Sequence, residues 1–332
     1  MSGYSVSGKR DGGEKVARRP PAARNRPHPL RVCARTRLRG TPAAMLGIVG
    51  TFPDARVPLI HGRVRMVGGQ LWLADRCIPV LRGTPALIAA AVQASEYLDG
   101  PEVYAFLAGD IGTGQGSRSV YAFLTQHVHE YELQAITFHY LQPDVDWHTK
   151  VLLAVEAVAK RPMLLADAGF MYAAKMSGQA GRYDFFTPDA GELAFLADEM
   201  APHPFYTRGF ILHQHRKIEG LIHQAYQYDN AATHLMVKGG TDYIVCKDRI
   251  VAKVSSPSLP AMEAIGGTGD TLTGLLTSLC GAGFEPVEAA VVAATANRLC
   301  GFFANLTPAS QVAELIKTIP QALEQVLQNR HP

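Results

Sequence analysis

The stretch Ala264-Ile265-Gly266-Gly267-Thr268-Gly269-Asp270 runs directly into Thr271-Leu272-Thr273-Gly274. It is a glycine-rich turn leading into a helical pattern, with one acidic residue at the junction. Leu272, Leu275, Leu276 and Leu279 recur at i, i+3, i+4 and i+7, one face of an α-helix. Gly281 and Gly283 supply the residue type that helices use just past their ends. The first amides of such a helix have no intrahelical partner, and its dipole favours negative charge nearby. Glycines ahead of it let a phosphate reach the backbone without meeting a Cβ. A carboxylate at that spot would repel a bare phosphate. Asp270 therefore reads as a group that acts on something, a base or a magnesium partner; the alternative is a helix cap.

The 332 residues suffice for one large α/β domain with a sizeable core. No apolar run approaches the length of a membrane span. Cys33, Cys77, Cys246, Cys280 and Cys300 are scattered without a C-x-x-C pair, which argues against zinc and for reduced thiols in a cytoplasmic setting. The net charge of +3 conceals an asymmetry. Residues 1–44 hold eleven Lys or Arg against Asp11 and Glu14, leaving 21 basic and 27 acidic residues in the remainder. The bulk of the chain is acidic, so nucleic acid is not an expected partner. Residues 1–44 are rich in Arg, Pro and Gly without apolar periodicity and read as a disordered basic extension, with Met45 the natural start.

From residue 45 to 332 the chain reads as a single α/β domain. Arg63–Val67 and Gln70–Leu73 form an expected hairpin around Gly68-Gly69. Thr84, as N-cap, and Pro85 open an alanine-rich helix to about Leu98. Strands are expected at Val103–Leu107, Ala135–Phe138, Met163–Ala166, Asp184–Phe186 and Leu235–Val237, with a hairpin of Ile244–Cys246 and Ile250–Lys253. Helices are expected near Ser117–His127, His148–Ala159, Gly191–Glu199, Arg208–Tyr226 and Pro320–Gln328. Such alternation favours a mainly parallel sheet covered on both faces, with ligands outside the carboxyl ends of the strands.

Several loops fall at those ends. Gly112-x-Gly114-x-Gly116 follows a strand but has the wrong spacing for a dinucleotide fingerprint. It makes an anion-tolerant turn or a purely structural one. Thr187-Pro188-Asp189-Ala190-Gly191-Glu192 carries helix-start chemistry. Lys238-Gly239-Gly240-Thr241 suits a phosphate or an adenine-ribose edge, or an exposed turn. Asp167 suits a ligand contact or an Asx turn. Neither His213 and His215 nor His127 and His129 have the spacing of a metal pair, and no metal ligand can be named.

In sequence order the loops are Ile111–Gly116, Leu165–Ala168, Thr187–Glu192, Val237–Thr241 and Ala264–Asp270. This set resembles the ribokinase-like superfamily and, within it, the NAD(P)H-hydrate dehydratase family. Members of that family show I-G-P-G-L-G, D-A-D-A-L, T-P-H-P-G-E, K-G-A-G-T and A-T-G-G-T-G-D in the same order. The resemblance spans roughly residues 85–330. It implies a three-layer α/β/α fold and a two-part reaction. ATP or ADP, with Mg2+, phosphorylates the hydroxyl of a hydrated nicotinamide ring, and the ring nitrogen then expels phosphate. It further implies Asp270 as catalytic base, and Lys238, Gly239, Gly240, Thr241, Gly267, Thr268 and Gly269 on the nucleotide. Gly114, Gly116, Asp189 and Asp270 would face the substrate. A homo-oligomer fits the superfamily, although no face for it stands out.

The chain departs from the family pattern at Asp189 and Ala190, where members have His and Pro, at Thr113 and Gln115, and at Leu165. Two alternatives follow: a small-molecule kinase acting on a sugar or vitamin-precursor hydroxyl, and a nucleotide-binding homologue without catalysis.

Overall fold

A computed structural model describes residues 45–201 and 218–329. Its strands begin with β1 (Met45–Phe52), β2 (Ile60–Val67), β3 (Gln70–Leu73) and β4 (Arg76–Ile78). After α1 (Thr84–Tyr97) come β5 (Glu102–Gly109), α2 (Gln115–His127), β6 (Leu133–His139), α3 (Val145–Glu156) and β7 (Met163–Ala166). Next are α4 (Ala168–Met176), β8 (Phe185–Phe186), α5 (Ala190–Ala197), α6 (Ile218–Gln227), β9 (His234–Val237), β10 (Asp242–Cys246) and β11 (Arg249–Val254). The chain closes with α7 (Ala261–Ala264), α8 (Thr268–Gly281), α9 (Pro286–Phe303), α10 (Val312–Ile316) and α11 (Ile319–Gln328).

The strands join in the order β11-β10-β9-β8-β7-β6-β1-β5-β2-β3-β4. The run from β9 to β5 is parallel, and the flanking hairpins are antiparallel. Alternate residues of each strand face opposite cores, as the pleat requires. Leu46 and Ile48 of β1, with Val103, Ala105 and Leu107 of β5, pack with α1, α8, α9 and α11. Val49, Phe106 and Ala108 pack on the other face with α2 to α6. Helices therefore cover both faces of the sheet, the three-layer α/β/α arrangement expected from the sequence.

Both expected hairpins form, with Gly68 and Gly69 in one turn and Lys247 and Asp248 in the other, all at positive φ. Two of the unexpected elements and one expected cap have clear physical reasons. Strand β1 was not anticipated, because Gly47 and Gly50 interrupt its apolar run. The reason for Gly50 is tertiary: a Cβ there would lie 2.4 Å from the His139 carbonyl oxygen. Nor was α9 anticipated, since it is wrapped by α8, α11 and strands β9 to β11 and shows apolar residues around most of its circumference. Finally, Thr84 is not the cap of α1. Gly83 is, at φ 70°, and the Thr84 hydroxyl turns inward to the Thr51 carbonyl at 2.8 Å.

The amphipathic segment near the end docks on its own domain, with Ile319, Ala322, Leu323 and Val326 buried in the core around α1 and α9. Residues 1–44, the start of the helix expected from Arg208, and His213 and His215 lie outside the described residues. Among the described residues no helix is long and apolar enough to cross a membrane, and Cys77, Cys246, Cys280 and Cys300 are unpaired.

Helices α1 and α8 touch closely where Gly274 lies against the backbone of α1. A Cβ at Gly274 would sit 2.3 Å from the Leu87 carbonyl oxygen, a contact that no side-chain rotation relieves. Gly274→Ala is expected to lower stability by about 3 kcal/mol in urea denaturation. A loss near zero would show that the helices separate freely.

On the opposite face His148 is fully buried between Tyr183 and Ser177, hydrogen-bonded at 2.8 and 3.1 Å. Burial lowers its pKa from 6.5 to about 4. The folded protein thus binds fewer protons than the unfolded chain between those values, so stability falls as pH drops through that window. The loss should reach about 3 kcal/mol by pH 4, and His148→Gln should flatten that limb of a stability–pH curve.

Candidate active site

Helix α8 begins at Gly267, whose φ of 107° and close fit against Val312 and Arg82 exclude a side chain. Among the described residues no side chain caps the helix, so the amides of its first turn keep no partner there from the usual capping chemistry. The turn is nonetheless rigid. The Thr268 hydroxyl donates to the carbonyls of Met262 and Ile265, and buried Asn297 of α9 donates to the Thr268 carbonyl at 3.0 Å while accepting from Thr271 at 2.7 Å.

Asp270 occupies the third position of α8 and does not cap it, which removes the capping reading. Its Oδ2 accepts from the Gly83 backbone N–H at 2.6 Å, and its Oδ1 lies 3.1 Å from His139 Nε2. Only 8% of the residue is exposed. Burial pushes its pKa up, but the His139 hydrogen bond, the nearby Lys238 ammonium and the Gly83 N–H together hold it below the ordinary carboxylate range.

His139 closes β6 and is buried. Its Nδ1 is 2.9 Å from the Thr84 hydroxyl, and the Tyr140 ring stacks on it with centroids 4.1 Å apart. Tyr140 has φ 48°, an uncommon conformation for an aromatic residue, and Thr51 Oγ1 donates to its carbonyl oxygen. Its ring lies 2.9 Å from where a Cβ of Gly83 would be, a second reason for glycine there.

A second group of charges adjoins this one. Lys238, at the end of β9, donates from Nζ to both oxygens of Asp167 at 3.0 and 2.9 Å. Thr273 of α8 donates to the same carboxylate at 2.7 Å, and the Lys238 side chain reaches within 3.6–3.8 Å of the Cβ position of Gly269. Burial opposes the lysine's charge, yet Asp167 and Glu192 outweigh it and raise its pKa. Glu192 is shifted upward by burial and by the carboxylates of Asp167 and Asp189.

Asp189, expected to face substrate, is exposed and forms a capping box. Its carboxylate accepts from the Glu192 N–H, and the Glu192 carboxylate accepts from the Asp189 N–H, both at 2.8 Å. Asp167 is an N-cap as well, accepting from the Ala168 N–H at 2.9 Å.

The loop Lys238–Thr241 stands beside α8, with Gly239 and Gly240 exposed and open in front. Arg298 of α9 braces it from behind, donating to the carbonyls of Gly239 and Gly240 at 2.8 and 3.1 Å and to Asp242 at 2.8 Å. Asp242 in turn accepts from the Gly239 N–H at 3.1 Å.

Gly114 and Gly116 lie beyond β5, on the other side of β1 from β6, and their loop meets the segment after Tyr140, where the Gln142 N–H donates to Ser117 Oγ at 3.0 Å. Their loop is braced from within, because the Asp110 carboxylate accepts from the N–H groups of Gly112, Gly114 and Ser117 at 3.0–3.1 Å. The anion that this turn tolerates is its own aspartate. Sequence reasoning missed His139, Arg298 and Asn297; of these, only His139 carried a signal, a histidine at the carboxyl end of a strand. Among the described residues no group of three or more His, Cys, Asp or Glu is arranged to hold a metal.

The parallel sheet, its covering helices and the open start of α8 place the protein among the ribokinase-like folds. A ribokinase-like superfamily protein from Enterococcus faecalis superposes with a TM-score of 0.53 at 15% identity, covering 85% of this chain and 87% of that one. A phosphofructokinase-2 variant from Escherichia coli gives 0.50 at 13% identity over 85% and 99%. The carbohydrate-kinase model described as NAD(P)H-hydrate dehydratase matches residues 143–321, more than half of the chain, and the chain belongs to that family. The match begins after the Gly112–Gly116 loop, so the motif resemblance reaches further back than the family model does. An uncharacterized protein of Methanocaldococcus jannaschii is 38% identical over 73% of this chain and all of its own length. The bifunctional NAD(P)H-hydrate repair enzyme of Pyrobaculum aerophilum is 28% identical over 79% of this chain, which spans half of that enzyme. The ADP-dependent (S)-NAD(P)H-hydrate dehydratase of Cenarchaeum symbiosum is 27% identical over 45% of this chain and 47% of its own.

Arg298 and Asp242 have side chains only 9% and 6% exposed. Arg298→Met, which strands the Asp242 carboxylate, should cost about 3–5 kcal/mol in thermal or urea unfolding. Adding Asp242→Asn, which keeps the acceptor for Gly239, should restore most of that loss. An unchanged double variant would mean that the carbonyl contacts, not the charge pair, matter.

Proposed function

We propose that this protein removes water from hydrated NAD(P)H, using ATP or ADP as phosphoryl donor. The observation that carries this reading is Asp270, a buried carboxylate turned away from the amides of its own helix, whose start no side chain caps among the described residues. Asp270 takes the proton of the acceptor hydroxyl as general base. The hydroxyl oxygen attacks the terminal phosphorus, and the bond to the departing nucleotide breaks. The amides of Gly267, Thr268 and Gly269 stabilise charge on the transferring group. In the second half the ring-nitrogen lone pair expels phosphate, and loss of a proton from the neighbouring ring carbon restores the double bond.

Lys238, Gly239, Gly240 and Thr241 line the nucleotide side. Exposed Arg82, beside Gly266 and Gly267, would add a cation on the phosphate side. Gly114, Gly116 and Asp189, whose loops follow β5 and β8, would line the side of the hydrated nicotinamide. Magnesium, when bound, would neutralise phosphate charge. Among the described residues no three carboxylates converge, so the ion would be held chiefly by phosphate oxygens and water with at most one or two carboxylates.

The test is to incubate the protein with hydrated NADH, magnesium and ATP or ADP, and to follow the return of reduced-nicotinamide absorbance. Absence of return with either nucleotide, while nucleotide binds, would overturn the reading; phosphate transfer to a panel of small alcohols would then indicate a kinase. Asp270→Asn should lower kcat by at least about 100-fold while calorimetric nucleotide affinity stays close to that of the parent.

A further inference from the structure

We infer that His139 is the positioning residue that holds Asp270 ready as the base. This rests on the proton-accepting role proposed for Asp270. An acidic residue in the first turn of a helix ordinarily settles toward the amides of that turn, which attract it. Here that would block the amides proposed to meet phosphate. Two donors from outside the helix prevent it: the Gly83 N–H takes Oδ2, and His139 Nε2 takes Oδ1.

Hydrogen counting shows how His139 keeps this role. Thr84 Oγ1 lies 2.8 Å from the Thr51 carbonyl oxygen and 2.9 Å from His139 Nδ1, and it owns a single hydrogen. Given to Thr51, that hydrogen leaves Nδ1 as donor to Thr84; given to Nδ1, it leaves the imidazole neutral. In both settings the carboxylate opposite requires the hydrogen on Nε2. A swing of one hydroxyl therefore accommodates either protonation state of the ring with no heavy-atom movement. The ring itself cannot drift. It is 1% exposed, stacked on Tyr140, and followed by a backbone in the left-handed region that the Thr51 hydroxyl ties down. A backbone conformation of that kind persists only where the surroundings impose it.

The charged and titratable groups around Asp270 are His139 from β6, Tyr140 after it, Lys238 from β9 with Asp167 and Glu192 behind, and exposed Arg82 before α1. From α9 and α10 the same turn receives neutral Asn297 and Val312. Burial raises the Asp270 pKa, and His139 is the largest influence opposing it. Because Asp270 must be ionised to accept a proton, activity falls as pH drops through its pKa. Loss of His139 raises that pKa and moves the acid limb to higher pH.

The test compares His139→Ala with His139→Gln, which retains an N–H donor, in the full chain. The Ala variant is expected to lose about 100-fold in kcat, with its acid limb displaced upward. The Gln variant should recover at least about ten-fold of that loss and return the limb. In parallel, carbon-13 NMR titration of the aspartate carboxylates, assigned with Asp270→Asn, needs no substrate. It should show Asp270 titrating below the ordinary range in the parent and higher in His139→Ala. An unshifted titration, or a folded Ala variant with kcat within about three-fold of the parent, would overturn the inference. If the parent dehydrates nothing, the proposed reaction fails, while the titration still decides whether His139 holds Asp270.

Discussion

A buried carboxylate held beside the open end of a helix, yet kept from closing it, is the constraint on which the site depends. Left alone, Asp270 and the first-turn amides of α8 would satisfy one another, since each is what the other lacks. The fold pre-empts that pairing by presenting stronger claims from two other elements, the Gly83 N–H and His139 Nε2. Those claims need Gly83 bare, Thr84 turned inward and β6 ending on a histidine. They also need α1 packed against α8 closely enough that Gly274 has room for only a hydrogen. A carboxylate so placed keeps its charge, and the start of α8 keeps no side-chain cap from the described residues.

Around this centre the charges are arranged in buried pairs rather than left to solvent. Lys238 with Asp167 anchors the end of β9 to α4 and α8. Arg298 with Asp242 shapes the adjacent glycine loop from behind. Buried pairs of this kind add little net stability over apolar replacements, but breaking one partner is costly. Their effect here is geometric: they set the backbone of loops that carry glycines and would otherwise adopt many conformations.

Much of this architecture was legible along the chain. The period-2 and i, i+3, i+4 patterns located most parallel strands and covering helices, because one face of each is buried and the other meets a different layer. Two of the elements that escaped have uniform surroundings. Strand β1 lies at the middle of the sheet and has glycines where neighbouring chain approaches, and α9 is buried around most of its circumference. Neither shows a contrast between faces, so neither has a period to read. The site motifs divide in the same way. Asp270 and Lys238 declared themselves through the glycines around them. Asp189 and the Gly112–Gly116 loop declared themselves less clearly, because turn and capping bonds by themselves account for Asp189 Oδ1 and for the N–H groups of Gly112 and Gly114.

The sequence by itself determined the ribokinase-like fold class, the family motifs and the pairing of a glycine turn with a single carboxylate, since those follow from local spacing and residue type. Only the tertiary structure decided which groups that carboxylate touches. His139 and Gly83 lie 131 and 187 residues from Asp270 along the chain. Their meeting depends on β6 lying beside β1 and on α1 packing against α8, and no local pattern encodes such a juxtaposition. Whether Asp270 caps its helix or stands free beside it is a competition among hydrogen-bond donors, and the winning donors come from elsewhere in the fold.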